Sequence, residues 1–291
     1  MFQAIVKSPL EQGRYVPVFV GGMARSGTTL LSALMSTSSA CNPFAPEHHG
    51  LGFLAQAISS LTLPDQFLFY RDREEQLRRH FNLFRDILDE GWAALGEPAI
   101  LVLKHCSLTA VCELVCRFIP QSKFVAIMRN PLNMYSSVSR ARRIVSGGRE
   151  SPSDMETHVV QWIRRFNQSY KAVLTADKAG LSDRILAVNY EAICQGDTKA
   201  LSQFLHVLDI DPSRLWKRAR FDISNYKKDP MYSAGWGKPL NDSYREAPHE
   251  IAPQLVERIV EGTQSVRGEF IALASKTPVP TPNTIEPAEV D

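Results

Sequence analysis

Short apolar runs alternate with longer stretches in which apolar residues recur every three or four positions, from residue 16 to about residue 210. The runs at 16–22, 99–103, 123–128 and 184–189 are strand-length, rich in Val, Ile, Leu and Phe. They lack polar alternation, which predicts strands buried on both faces. The three-to-four spacing predicts helices over 28–38, 50–60, 72–95, 107–118, 131–144, 154–176, 198–208 and 248–275. The clearest stripe is Leu77, Phe81, Phe84, Ile87, Leu88 and Trp92, with Arg and Glu between. It reads as a packing face, the alternative being that some of its aromatics line a substrate pocket. Strands alternating with helices imply a parallel sheet covered on both sides, a three-layer α/β/α fold.

No internal repeat and no second core are visible, so residues 1–275 are expected to form one domain. Residues 276–291, rich in Pro and Thr, are expected to be a disordered tail. The segment 229–248 is rich in Gly, Pro, Asn and aromatics without periodicity. An irregular stretch of that length is expected to act as a functional lid.

Composition narrows the function. A hydrophobic content of 44% in 291 residues is ample for a core. The formal charge of +2 argues against a protein dominated by nucleic-acid or anionic-membrane binding. No run approaches the roughly 18 to 20 apolar residues that span a bilayer, and no charged-then-apolar leader is visible. The five cysteines are scattered, with no C-x-x-C pair. They read as reduced thiols of a cytoplasmic protein. Cys112 and Cys116 lack a second pair, and the neighbours His48 and His49 lack a third ligand, so no metal is expected.

The chemistry starts at Val18-Phe-Val-Gly-Gly-Met-Ala-Arg-Ser-Gly-Thr-Thr-Leu-Leu31. A triphosphate-binding loop reads G-x-x-x-x-G-K-[ST], its lysine reaching the β- and γ-phosphates. Here Gly22 and Gly27 have that spacing, but Thr28 replaces the lysine. Backbone N–H groups at the start of a helix can still hold an anion. The second constellation is Arg129-Asn-Pro131, at a strand end, with Ser137 about two turns along the helix that Pro131 opens. An arginine fork and a hydroxyl so placed can close on one anion; alone, such an arginine is as readily a structural ion pair.

Taken together, Arg25-Ser-Gly-Thr-Thr29, Lys104-His105, Arg129-Asn-Pro with Ser137, and Tyr190-Glu191 resemble the sulfotransferases that use 3′-phosphoadenosine-5′-phosphosulfate. The resemblance runs over about residues 16–210 and is to the bacterial and tyrosylprotein branches. It implies a P-loop-like fold and in-line transfer of a sulfo group to a hydroxyl, less readily an amine, of a small-molecule or lipid-linked acceptor. It implies that Arg25, Ser26, Gly27, Thr28 and Thr29 hold the 5′-phosphosulfate, Arg129 and Ser137 the 3′-phosphate, and that Tyr190 lies near the adenine. Arg25 and Lys104 are the cations expected around the leaving phosphate. For the general base the resemblance implies Glu47, in Pro43-Phe-Ala-Pro-Glu-His-His-Gly50, ahead of His105 and of His48 or His49. His105 directly follows Lys104, and adjacent strand residues face opposite ways, so both are not expected to face one ligand. Lys238 is a further candidate phosphate contact, in the expected lid. Arg140, Arg142, Arg143 and Arg149 read as a solvated basic face or as help for the 3′-phosphate. The alternatives are a kinase-like phosphotransferase with a degenerate loop, and a non-catalytic nucleotide-binding protein of the same fold.

Overall fold

A computed structural model describes residues 7–61, 72–146, 151–215, 217, 240 and 251–276. Four strands, β1 (Val16–Gly21), β2 (Ile100–Lys104), β3 (Lys123–Met128) and β4 (Ile185–Asn189), pair in parallel in the order β2-β1-β3-β4. Residues 40–42 extend the β2 edge, with Ile100 N–H on Ala40 O and Asn42 N–H on Ile100 O.

Nine α-helices occur among the described residues: α1 (Thr28–Met35), α2 (His49–Ser60), α3 (Arg73–Ala94), α4 (Cys112–Phe118), α5 (Pro131–Ser146), α6 (Pro152–Ala176), α7 (Tyr190–Cys194), α8 (Lys199–Leu205) and α9 (Pro253–Ala274). Strand side chains alternate between two buried cores, as the pleat requires. Phe19, Leu101, Leu103, Phe124, Ala126, Ile185 and Ala187 pack with α2–α6 and α9. Val18, Val20, Val102, Val125, Ile127, Leu186 and Val188 pack with α1, α7 and α8. The sheet is therefore the middle of three layers, as expected.

The stripe on α3 is core: Leu77, Phe81, Phe84, Leu88 and Trp92 are buried, and Trp92 stacks on Tyr15 at 5.3 Å between ring centroids. Asp72 caps that helix by accepting from the N–H groups of Glu74 and Glu75. Several boundaries differ from the periodicity. The stretch 107–118 divides into a 3₁₀ turn, Cys106–Val111, and α4. The first helix stops at Met35, where Ser36 and Thr37 turn their hydroxyls onto Ser32 O and Leu34 O. The helix after β4 begins at once, at Tyr190, because Asn189 caps it through Ala192 N–H. α8 ends at Leu205, with His206 left-handed (φ 56°). Pro253 sets the start of α9, five residues later than expected. The expected lid at 229–248 with its Lys238 (apart from Leu240), Arg149, and the tail from 277 lie outside the described residues.

Candidate active site

All four strands run the same way, so their carboxyl ends share one edge, where α/β folds bind ligands. From β2 across to β4 the edge carries Lys104, the loop 22–27, Arg129 and Tyr190. Candidate residues 165 positions apart in sequence, from Arg25 to Tyr190, are thus brought to neighbouring strand ends.

The loop is wound tightly. Gly22 (φ 147°), Arg25 (φ 72°) and Gly27 (φ 105°) all have positive φ. A Cβ on Gly22 would run into Ser26 Oγ and the Ile127 carbonyl, and one on Gly27 would enter the Tyr190 ring. Gly22 N–H donates to Thr109 Oγ1 at 2.7 Å, Met23 N–H to the Tyr170 hydroxyl at 3.3 Å, and Ser26 N–H to Met23 O at 3.0 Å. Ser26 is fully buried, its Oγ close to Tyr170 but outside hydrogen-bond geometry. The loop's remaining N–H groups are those at the start of α1, where the first N–H groups have no intrahelical partner. The first turn of α1 carries no acidic side chain, so its positive end is unopposed from within.

Arg25 reaches from the loop to α5, its Nε donating to Ser137 Oγ at 2.8 Å. Two residues expected at separate anion sites are therefore in direct contact. The Arg129 guanidinium lies over the Tyr190 ring at 4.7 Å, and Gly27 presses against the same ring. Tyr190 is only 3% exposed, so it packs between the loop and Arg129. Glu191, named in the sequence only as the partner of Tyr190 in its motif, accepts from Asn130 N–H at 2.9 Å and ties the ends of β3 and β4. Asn130 in turn caps the start of α5 through Leu132 N–H.

On the β2 side, Lys104 Nζ pairs with Glu47 Oε1 at 3.2 Å. Burial lowers the Lys104 pKa, and the Glu47 carboxylate opposes that. β2 ends at Lys104 and His105 caps the 3₁₀ turn, but its backbone is still extended (φ −163°, ψ 136°), so the two adjacent side chains still leave on opposite sides. Lys104 and His105 both feel Glu47.

The imidazoles are otherwise engaged. His105 Nδ1 accepts from Ser107 N–H at 3.1 Å, and its ring lies against Gly52 of α2. His48 Nδ1 accepts from Leu51 N–H at 3.2 Å as the cap of α2. A neutral imidazole has one acceptor nitrogen, and in both residues a backbone N–H occupies it. Burial lowers the His105 pKa, Glu47 opposing, so the ring stays neutral. His49 is exposed and edge-on to His105, 6.3 Å between centroids. Cys106 adjoins the cluster, its thiol pKa raised by burial and by Glu47.

All five cysteines are free thiols. Among the described residues no group of three or more His, Cys, Asp or Glu is placed to hold a metal ion, and no helix is long and apolar enough to cross a membrane. Arg140, Arg142 and Arg143 lie on α5, with Arg140 exposed.

A parallel α/β/α sheet with a glycine-bounded loop between β1 and α1 defines the P-loop-like class of folds. The family is narrower. The model described as "Sulfotransferase family" matches residues 17–214, and the chain belongs to that family of sulfo-group transferases. The sulfotransferase domain from the Synechococcus PCC 7002 olefin synthase is similar at 19% identity and a TM-score of 0.53, over 91% of this chain and 98% of that one. The sulfotransferase domain from the curacin biosynthetic pathway is similar at 18% identity and a TM-score of 0.52, over 86% and 98%. At those identities the likeness is one of fold. No curated protein matches the chain.

Proposed function

We propose that the chain moves a sulfo group from 3′-phosphoadenosine-5′-phosphosulfate to a hydroxyl, less readily an amine, of a small-molecule or lipid-linked acceptor. The observation that carries this reading is a lysine-free loop tied to α5 through Arg25 and Ser137, with a second cation, Arg129, beside the same loop across the Tyr190 ring. Such a pair suits a ligand with two separated anions better than a magnesium-bound triphosphate.

In this reading the start of α1 (Thr28, Thr29), with Gly27 and Arg25, receives the 5′-phosphosulfate. Arg129 and Ser137 receive the 3′-phosphate. Ser26 contributes by shaping the loop from beneath, since its hydroxyl is buried. Tyr190 acts on the adenosine side by fixing Gly27 and Arg129, its ring being covered. Because β2 lies on the other side of β1 from β3 and β4, the sulfo group faces Lys104 and Glu47.

An acceptor oxygen forms a bond to sulfur as the bond from sulfur to the 5′-phosphate oxygen breaks, its electron pair leaving with the phosphate. Glu47 takes the acceptor proton, having carboxylate lone pairs to spare where His105 and His48 have none. Arg25 and Lys104 offset the charge gathering on the phosphate. Reduced cysteines throughout fit a cytoplasmic setting.

A thermal shift tests the donor. Adenosine 3′,5′-bisphosphate at 100 times its Kd stabilises the native state by about 2.7 kcal/mol, or roughly 5 °C for a chain of this size. ATP with magnesium is expected to give no shift. A shift with ATP and none with the bisphosphate overturns the reading.

A further inference from the structure

Tyr170 lies on α6, remote in sequence from every motif, and is fully buried. Its ring is wedged between Phe166 and Phe270, at 4.8 and 5.1 Å between centroids. Its hydroxyl accepts from Met23 N–H in the loop at 3.3 Å and donates to Ile127 O on β3 at 3.0 Å. Ile127 stands two residues before Arg129. One buried oxygen thus connects the loop expected to hold the 5′ anion to the strand that ends in the 3′ anion site. Gly22 meets the same Ile127 carbonyl, so loop and strand touch at this point.

We infer that Tyr170 is a positioning residue that sets the distance between the two anion sites, and so favours a nucleotide phosphorylated at both 3′ and 5′ over one phosphorylated at 5′ alone. The inference rests on the proposed donor. A phenol suits the task because it accepts one hydrogen bond while donating another. Burial raises its pKa, so it keeps its proton throughout the working range. Thr109 provides the comparison, because its hydroxyl also holds a loop amide, Gly22, but it lies on the 3₁₀ turn after β2 and makes no link to β3. Loss of Thr109 loosens the loop alone, whereas loss of the Tyr170 hydroxyl frees the loop from the strand.

The test is calorimetric titration of wild type, Tyr170→Phe and Thr109→Val with adenosine 3′,5′-bisphosphate and with adenosine 5′-monophosphate. Tyr170→Phe keeps the ring packed and removes both hydrogen bonds. The preference for the bisphosphate should fall about tenfold, within the hundredfold that a misplacement of about 1 Å can remove. Thr109→Val should weaken both ligands alike and leave the ratio unchanged. An unchanged ratio in Tyr170→Phe, or an equal loss of ratio in both variants, overturns the inference. A wild type without preference for the bisphosphate overturns the donor reading instead. Hydrogen exchange on the unliganded wild type gives a second reading that does not depend on a variant folding. The Met23 amide should be protected, and exchange at the rate of an open loop overturns the role of Tyr170.

Discussion

Replacing Glu47 by alanine should unfold the protein more readily than replacing Lys104, although the two form one ion pair. The asymmetry follows from exposure: the Lys104 side chain is 6% exposed and that of Glu47 32%. Removing Glu47 leaves a buried ammonium without its carboxylate, whereas removing Lys104 leaves a carboxylate that still reaches water. Breaking a buried pair on one side typically costs about 3–5 kcal/mol. The partial exposure of Glu47 puts Glu47→Ala nearer 2–3 kcal/mol, a fall in Tm of roughly 4–6 °C at this chain length. Lys104→Met should cost less than about 1 kcal/mol, and the double variant should match Lys104→Met rather than the sum of the singles.

The pH dependence carries the same logic. Burial lowers the Lys104 pKa in the folded state, and loss of Glu47 removes what opposes that. The Glu47→Ala deficit is therefore full near neutrality and shrinks as pH rises towards the ordinary lysine value of about 10.4, where the unfolded chain is also losing the proton. Urea denaturation of the four proteins at pH 7 and pH 9.5 measures all of this. Equal single effects that add in the double variant would refute the reasoning. The series also guards the base assignment, because Glu47→Ala loses activity through unfolding as well as through chemistry. Glu47→Gln, assayed where it is folded, should lower kcat by about 10²–10⁴ while leaving bisphosphate binding intact.

Two further outcomes follow from the backbone and from His105. Gly27→Ala and Gly180→Ala both force a side chain into positive φ, but only Gly27 meets an obstacle, the Tyr190 ring. Gly180→Ala should cost about 1–2 kcal/mol from strain alone, and Gly27→Ala clearly more, with loss of bisphosphate binding; equal costs in urea melts would contradict the packing of Tyr190 on the loop. The folded His105 has a pKa below 6.5, so the unfolded chain takes up the proton first and stability falls as pH drops below 6.5. His105→Asn should flatten that slope, which one proton limits to about 1.4 kcal/mol per pH unit. His206, also lowered by burial, leaves a residual slope. An unchanged slope between pH 7 and 5 would count against a neutral, buried His105.

Much of the architecture was legible because burial writes itself into spacing. The four strands are unbroken apolar runs with both faces covered, and the α3 stripe packs as its period requires. The loop was legible because glycines at Gly22 and Gly27 have a backbone reason to be there. Other features depend on contacts between distant segments. Tyr170 reads as one more apolar position on an amphipathic helix, since nothing local reveals what its hydroxyl meets. The Arg25–Ser137 contact spans 112 positions and exists only once β1 and α5 are folded together. His105 is still extended one residue past β2, and only the fold reveals that its Nδ1 caps Ser107 N–H.

The strand order also bears on how such a protein can diversify. The loop 22–27 and Arg129 follow β1 and β3, the two central strands, which cannot shift without disturbing both cores. Lys104 and Glu47 sit towards the β2 margin, where residues 40–42 run along Ile100 and the Asn42 side chain bonds to Val102 N–H and O. The segment 43–60 buries Phe44 in one core and Leu51, Ala55 and Ile58 in the other, so only a replacement that keeps those four positions apolar leaves the central strands untouched. Within one lineage the chemistry of the β2 margin can thus be rewritten while the central strands keep their packing.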